Sequence, residues 1–233
     1  HYSWHAAMWL ISSLCLVSLP LIAFTLPCDT VLSSVKAKLS FDTETLLFAS
    51  CTAFAQFSPM LVIPILTPLM MQHMGAQQSL LPLLFLSGGV VGYFSTKITG
   101  MLTSRLSDLT LAISSTLLLI ASLLIPALGY QNAFLFITLF LGASYSRLVC
   151  ASSVALHYPE DEQRASFSSL QTAIMYLITT LAFFLSSLLL PDMGLTTQNI
   201  NRLLVVSALT AAGFPFMVII LQKKLAKRAA HYP

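Results

Sequence analysis

Charge is what this sequence has least of. Only 8% of its 233 residues are Asp, Glu, Lys or Arg, against about 25% in a soluble domain. Hydrophobic residues make up 57%, and the mean hydropathy is +0.85. A soluble fold of 25.4 kDa exposes too much of its surface to hide that much apolar material. A soluble enzyme, a nucleic-acid reader and a disordered chain are therefore excluded. Enzyme signatures are missing as well: there is no His-Glu-x-x-His, no Gly-x-Ser-x-Gly, no phosphate loop and no His–carboxylate cluster within an apolar run. No catalytic activity, metal or cofactor is expected. The four cysteines (Cys15, Cys28, Cys51 and Cys150) match no zinc spacing and are expected to remain unpaired thiols. The chain starts at His1 with neither Met nor a basic leader, so no signal peptide is subtracted, and the start reads as that of a fragment.

Long apolar runs are what the sequence has in quantity. A helix needs about 20 apolar residues to cross the hydrocarbon core. Seven runs meet that length, at about 7–27, 45–71, 79–98, 109–129, 132–157, 166–190 and 202–222. They are continuous and rich in Leu and Ala, unlike the alternating segments of about ten residues in a membrane β-barrel. The expected fold is an all-α, multi-pass membrane bundle of about seven transmembrane helices. The longest connection, 28–44, carries mixed charge (Asp29, Lys36, Lys38, Asp42 and Glu44). It divides a first helix (1–27) from a six-helix bundle (45–222), which a basic tail (223–233) follows.

The basic residues give the orientation. Lys36, Lys38, Lys97, Arg105, Arg164, Lys223, Lys224, Lys227 and Arg228 fall on one side, and Arg202 alone on the other. Positive charge is retained on the cytoplasmic side. The tail is expected in the cytoplasm and the N-terminus of this chain outside, in a cell (inner or plasma) membrane with the lipid bilayer as solvent.

Arg147 is the eleventh basic residue and lies within a run. It is about ten residues, or roughly 15 Å, from the inner end, beyond comfortable snorkelling distance. A charge so placed costs roughly 2.5–3.5 kcal/mol on insertion scales. Ala143, Ser144, Cys150 and Ala151 share its helix face. Two readings stand: an anchor for an anion or substrate (or a partner of an acidic proton carrier), and a structural arginine bonded to helix carbonyls. None of the seven runs holds an Asp or Glu, so the titratable group that proton coupling needs is not in them. His157, at an inner end, reads as an interface histidine.

Ser169, Thr172, Tyr176, Thr179 and Thr180 form a stripe at helical spacing. It is expected to line a cavity. Thr52 and Gln56 are one turn apart, and Gln56 must face protein or water. Pro59, Pro64 and Pro68 interrupt one backbone ladder three times, giving either a fixed curve or a bending gate. Gly88, Gly92, Thr96 and Gly100 form a small-xxx-small ridge for close helix packing. Glu160, Asp161 and Glu162 precede a helix start, where negative charge is favourable, and Arg164 is expected to pair locally.

Four stretches together carry a family likeness. They are FSPMLVIPILTPLM (Phe57–Met70), LPLLFLSGGVVGYFSTKITGMLTSRLSD (Leu81–Asp108), SRLVCASSVALHYPEDEQRASFSSLQTA (Ser146–Ala173) and SWHAAMWLISSLCLVSLPLIAFTLP (Ser3–Pro27). The first three resemble the seventh helix, the eighth helix with its loop, and the tenth helix with its loop and the start of the eleventh, in a major facilitator superfamily transporter. The last resembles the sixth helix. The likeness is to the proton-antiport efflux branch that includes arabinose-type sugar permeases. Gly100, Leu102 and Arg105 match the superfamily's Gly-x-Leu-x-Asp-Arg-x-Gly loop, whereas Ser104, Ser107 and Asp108 depart from it. Arg164 matches the arginine of the Pro-x-x-x-x-Arg loop.

The resemblance implies the C-terminal half of such a transporter, preceded by the last helix of the N-terminal half. It implies export of a small-molecule substrate by alternating access, driven by proton exchange. The N-terminal half of the same transporter would be the partner and would hold the proton-carrying acid. Arg147, which matches an arginine of the family's tenth helix, would line the central cavity with Gln56, Thr52, Thr172, Tyr176 and Thr180. Gly100, Arg105 and Arg164 would be the cytoplasmic loop residues. Two alternatives stay open. A seven-helix receptor or scaffold would move no solute, although residues 202–222 lack a Schiff-base lysine. A half-transporter would pair with a second copy of itself.

Overall fold

The computed structural model describes residues 4–25, 42–190 and 196–231. Among these, 89% are helical and none is in a strand. The chain divides into two compact units, His1–Ala37 and Lys38–Pro233. Of the predicted linker 28–44, only Asp42, Thr43 and Glu44 are among the described residues; Lys36, Lys38 and Cys28 lie outside them.

The first unit contains α1 (Trp4–Thr25), with Pro20 inside it. Ser13, Ser18 and Thr25 donate to the carbonyls of Leu10, Cys15 and Leu21, so these hydroxyls are satisfied by their own helix.

The second unit begins with α2 (Thr43–Ala49). Asp42 caps it by accepting from the Thr45 N–H at 2.9 Å. A turn at Ser50 divides α2 from α3 (Cys51–Val62), so the predicted run 45–71 is not one uninterrupted helix. After Val62 the chain passes through a 3-10 turn (Ile63–Ile65), one α turn (Leu66–Pro68) and a π turn (Leu69–His73). Pro64 and Pro68 withhold N–H groups there, and the ladder shifts register instead of ending. Cys51–His73 remains one continuous span.

Four helices follow α3 before the last. They are α4 (Leu81–Leu102), α5 (Asp108–Ala127), α6 (Ala133–Leu156) and α7 (Arg164–Leu189). Ser107 caps α5 and Asn132 caps α6, each accepting from the N–H three residues on. Gly129, at φ 77°, ends α5. Tyr130 N–H donates to Ile125 and Gly129 N–H to Pro126, the paired bonds of a left-handed helix stop. The last helix, α8 (Thr197–His231), runs well past the predicted end at 222 and takes in most of the basic tail.

Among the described residues, six helices are long and apolar enough to cross a membrane: Cys51–His73, Gln78–Leu102, Asp108–Ala127, Ala133–Leu156, Asp161–Leu189 and Thr197–Arg228. Among the same residues, the first predicted run, 7–27, holds a shorter apolar stretch, Met8–Ile22. Lengths and composition are those of a membrane-embedded bundle.

Packing separates inner from outer helices. α6 packs on α3, α4 and α5, and α8 packs on α3 and α5, while α4 has α6 as its main neighbour and α7 has α3. These principal contacts are unchanged when the first three spans (α3, α4, α5) are exchanged for the last three (α6, α7, α8). α4 lies on α6 as α7 lies on α3, and α5 lies on α6 as α8 lies on α3. Glycine permits the tightest approach. A Cβ at Gly88 would sit 2.6 Å from Leu141 Cδ1, and one at Gly92 would sit 2.5 Å from Tyr145 Cδ2. The ridge serves α6 at these two positions, whereas Gly100 faces open space.

The interior is two apolar clusters stacked along the helices. One contains Leu61, Leu69, Leu119, Phe136, Phe140 and Leu203. The other contains Phe48, Ala55, Leu111, Cys150, Phe167, Phe214 and Val218. Buried polar side chains fall between them on three inner helices, Gln56 and Ser58 on α3, Ser115 and Thr116 on α5, and Ser144 and Arg147 on α6, while Ser207 of α8 is buried within the stretch of the first cluster. At the end of the bundle next to the second cluster, Lys224 pairs with Glu44 at 2.7 Å. There the Tyr158 hydroxyl meets that of Thr45 at 3.0 Å, and Arg228 donates to the Tyr158 carbonyl at 3.2 Å.

Candidate functional site

Arg147 is the centre of the polar level, and none of its surface is exposed. It leaves α6 and reaches the other three inner helices. Nε donates to the Ala55 carbonyl of α3 at 3.1 Å. Nη1 donates to the Thr116 hydroxyl of α5 at 2.6 Å and to the Ala211 carbonyl of α8 at 3.2 Å. The guanidinium carbon lies 4.7 Å from the centre of the Phe214 ring, a cation–π distance. Nη2 is buried with no hydrogen-bond partner. Among the described residues no carboxylate pairs with Arg147; two carbonyl dipoles, a hydroxyl and an aromatic face surround it instead. This geometry matches the second sequence reading, an arginine bonded to helix carbonyls, rather than a side chain open to a cavity.

Gln56 donates from Nε2 to the Ser144 carbonyl at 3.0 Å. Of the two roles its sequence left open, the helix-to-helix bond is the one present. Thr52, one turn earlier, is buried with an unpartnered hydroxyl. Ser58 and Ser207 make a reciprocal bridge between α3 and α8. Ser58 Oγ donates to the Ser207 carbonyl at 2.7 Å, and Ser207 Oγ donates to the Ser58 carbonyl at 3.0 Å. Sequence reasoning passed over Ser58, Thr116 and Ser207. Isolated hydroxyls in apolar runs usually bond back to their own helix, and only their partners on other helices, visible in three dimensions, mark them.

The α7 stripe is elsewhere. Thr172, Tyr176 and Thr180 lie on the exposed face of α7, with Tyr176 65% exposed. Ser169, Thr172 and Thr180 donate to the carbonyls four residues back, so their own protons are satisfied while lone pairs remain free. Ser168, Ser169, Thr172, Ala173 and Tyr176 line an open groove. The expectation sets Arg147, Gln56, Thr52 and the stripe on one wall; the structure places them at two depths. The first three are enclosed among the inner helices, and the stripe faces outward from an outer helix.

The loop residues are at the surface. Arg105 and Gly100 are exposed, and Arg164 pairs with Asp161 at 3.0 Å in one exposed turn. His157 is exposed and close to the Ser153 carbonyl, at 2.7 Å from Nδ1. Cys15, Cys51 and Cys150 are free thiols. Among the described residues no three His, Cys, Asp or Glu side chains are grouped to hold a metal ion.

Fold and site together define a class: an all-helical bundle with helices of membrane-spanning length, a buried polar level and an outward-facing hydroxyl stripe. No family model matches this chain, and neither the curated proteins nor the solved structures give a significant match to it.

Proposed function

We propose that residues 45–222 form the C-terminal half of a major facilitator-type transporter. It exports a small solute by alternating access, with proton exchange as the driving force. The observation that carries this reading is the interchangeability of the two helix triplets. Three spans are an odd number, so successive triplets enter the membrane in opposite senses. Internal repeats of inverted topology are the common architecture of secondary transporters, whose substrate sites lie at repeat or half interfaces near the midplane.

The outward α7 stripe fits the same reading. The Ser169, Thr172 and Thr180 hydroxyls are satisfied by their own helix, so it is the exposed Tyr176 phenol, set in line with them at helical spacing, that favours water or protein opposite the stripe. The missing opposite wall is the N-terminal half, to which α1 would contribute the last helix. Thr172, Tyr176 and Thr180 then face the substrate, and Arg147, Gln56 and Thr52 stand one layer behind. The carboxylate that carries the proton belongs to the opposite half. The end bearing Lys97, Arg105, Arg164 and the basic stretch of α8 is cytoplasmic.

Cysteine accessibility in the membrane tests this. Thr172→Cys, Tyr176→Cys and Thr180→Cys, each in a chain with its own cysteines replaced, are treated with a membrane-impermeant maleimide. A water-lined transport wall gives rapid labelling at all three positions. Protection from the maleimide, together with quenching of attached fluorophores by lipid-borne nitroxides, would place the stripe against acyl chains and refute the assignment.

A further inference from the structure

Ala55 and Ala211, the two residues whose carbonyls Arg147 reaches, have one feature in common: each stands four residues before a proline. In an α-helix the carbonyl of residue i accepts the N–H of residue i+4. Pro59 and Pro215, inside α3 and α8, have no N–H to give. Two carbonyls in two different helices therefore lack their ladder partner, and both accept from one guanidinium, at 3.1 Å from Nε and 3.2 Å from Nη1. We propose that Arg147 is a clamp on these two proline-freed carbonyls, a positioning residue that ties the bends of α3 and α8 to α6.

The chemistry explains the residue type. Buried main-chain acceptors must be satisfied, and water is scarce at this depth. Arginine carries donors on a rigid fork, which serves two acceptors on separate helices while its plane lies against an aromatic ring, here Phe214 at 4.7 Å. Lysine, with one ammonium on a flexible stem, cannot hold both at that geometry and also stack. The clamp also accounts for a buried cation with no carboxylate: the freed carbonyls and the Thr116 hydroxyl at 2.6 Å supply the negative ends of its bonds. It stands without the transport reading; only its consequence rests on that reading, namely that α3 and α8 change their bend together, by releasing one side chain.

A double-mutant cycle on the full chain in bicelles, read by SDS-induced unfolding, tests it. Arg147→Met removes three hydrogen bonds from a charged group and lowers the folding equilibrium constant at least about tenfold. Pro59→Ala with Pro215→Ala returns N–H groups to the two ladders. Its effect is therefore much more favourable when Arg147 has been replaced than when it is present. Pro126→Ala, in a helix whose freed carbonyl at Ser122 is not among the partners of Arg147, is the control and shows equal effects in both. Equal effects for the Pro59/Pro215 pair as well would overturn the clamp. Solid-state NMR of the unsubstituted chain, with arginine side chains labelled in 15N and alanine carbonyls in 13C, covers the case in which Arg147→Met does not fold. A cross-peak from the Arg147 Nε to an alanine carbonyl is expected, and its absence overturns the proposal independently.

Discussion

Replacing Gly92 by alanine would force α4 and α6 apart, and the size of the effect follows from the distances. The new methyl carbon would lie 2.5 and 2.6 Å from Cδ2 and Cε2 of Tyr145. Ordinary carbon–carbon contact is about 3.5–4.0 Å, so the ring or the helix must retreat by roughly 1 Å. Overpacking of this kind costs about 1–3 kcal/mol. Gly88 and Gly89 provide internal standards. At Gly88 the nearest atom is Leu141 Cδ1, the end of a flexible chain, at 2.6 Å, which places Gly88→Ala near the lower end of that range. At Gly89 nothing lies within 4 Å, so Gly89→Ala carries only the helix-propensity gain, up to about 1 kcal/mol. All three substitutions share that gain, and their differences isolate the packing term. SDS titration of the purified chain in bicelles should rank stability as Gly89→Ala, then Gly88→Ala, then Gly92→Ala. The first and last should differ by about 1–3 kcal/mol. Adding Tyr145→Ala should remove most of the Gly92→Ala penalty. Indistinguishable stabilities for Gly92→Ala and Gly89→Ala would refute the close approach of these helices.

Two further outcomes are expected. Ser58→Ala and Ser207→Ala each break part of one reciprocal bridge. Their effects should be non-additive by about 0.6 kcal/mol, the average for hydrogen bonds between membrane helices, and strict additivity in the same titration would dismiss the bridge. The hydroxyl and then the backbone N–H of Thr45 hold the Asp42 carboxyl below its ordinary value, so the folded state favours the ionised form. Capping by Asp42 is therefore fully present above the unfolded carboxylate pKa and is lost as pH falls through the lower, folded value. NMR titration of the Asp42 side chain should give a midpoint below that of an unstructured aspartate, and coincident midpoints would contradict the cap.

Element existence was legible in the sequence because bilayer-length apolar runs are a strong signal. Each of the six spans overlaps a predicted run. Element ends were less so. The break at Ser50 and the register shifts after Val62 depend on how the second unit packs and on where Pro64 and Pro68 fall, and neither alters the hydropathy of the run. The end of α8 was misplaced because Lys and Arg are good helix formers and nothing from Lys223 to Ala230 stops a helix; charge ends an apolar run without ending the helix. Arg147 was found by its cost. Its partners were hidden, yet a signal existed: Ala55-x-x-x-Pro59 and Ala211-x-x-x-Pro215 each announce an unpaired carbonyl. Periodicity correctly grouped Thr172, Tyr176 and Thr180 on one face of α7, but it is silent on which way that face turns, because a neighbour and a water-filled space ask for the same residues.

The wiring of Arg147 also sets a schedule for the chain's synthesis. Ala55 precedes it by 92 residues and Thr116 by 31, while Ala211 follows it by 64. When α6 leaves the ribosome, two of its three acceptors are already available to receive the charge. The third is made only after a further 64 residues, roughly 3–13 s at ordinary elongation rates. For that interval the nascent bundle holds a cation with part of its coordination incomplete. A chain stopped before α8 would lack the Ala211 carbonyl that Nη1 otherwise reaches, so the coordination of Arg147 is completed only by the last helix.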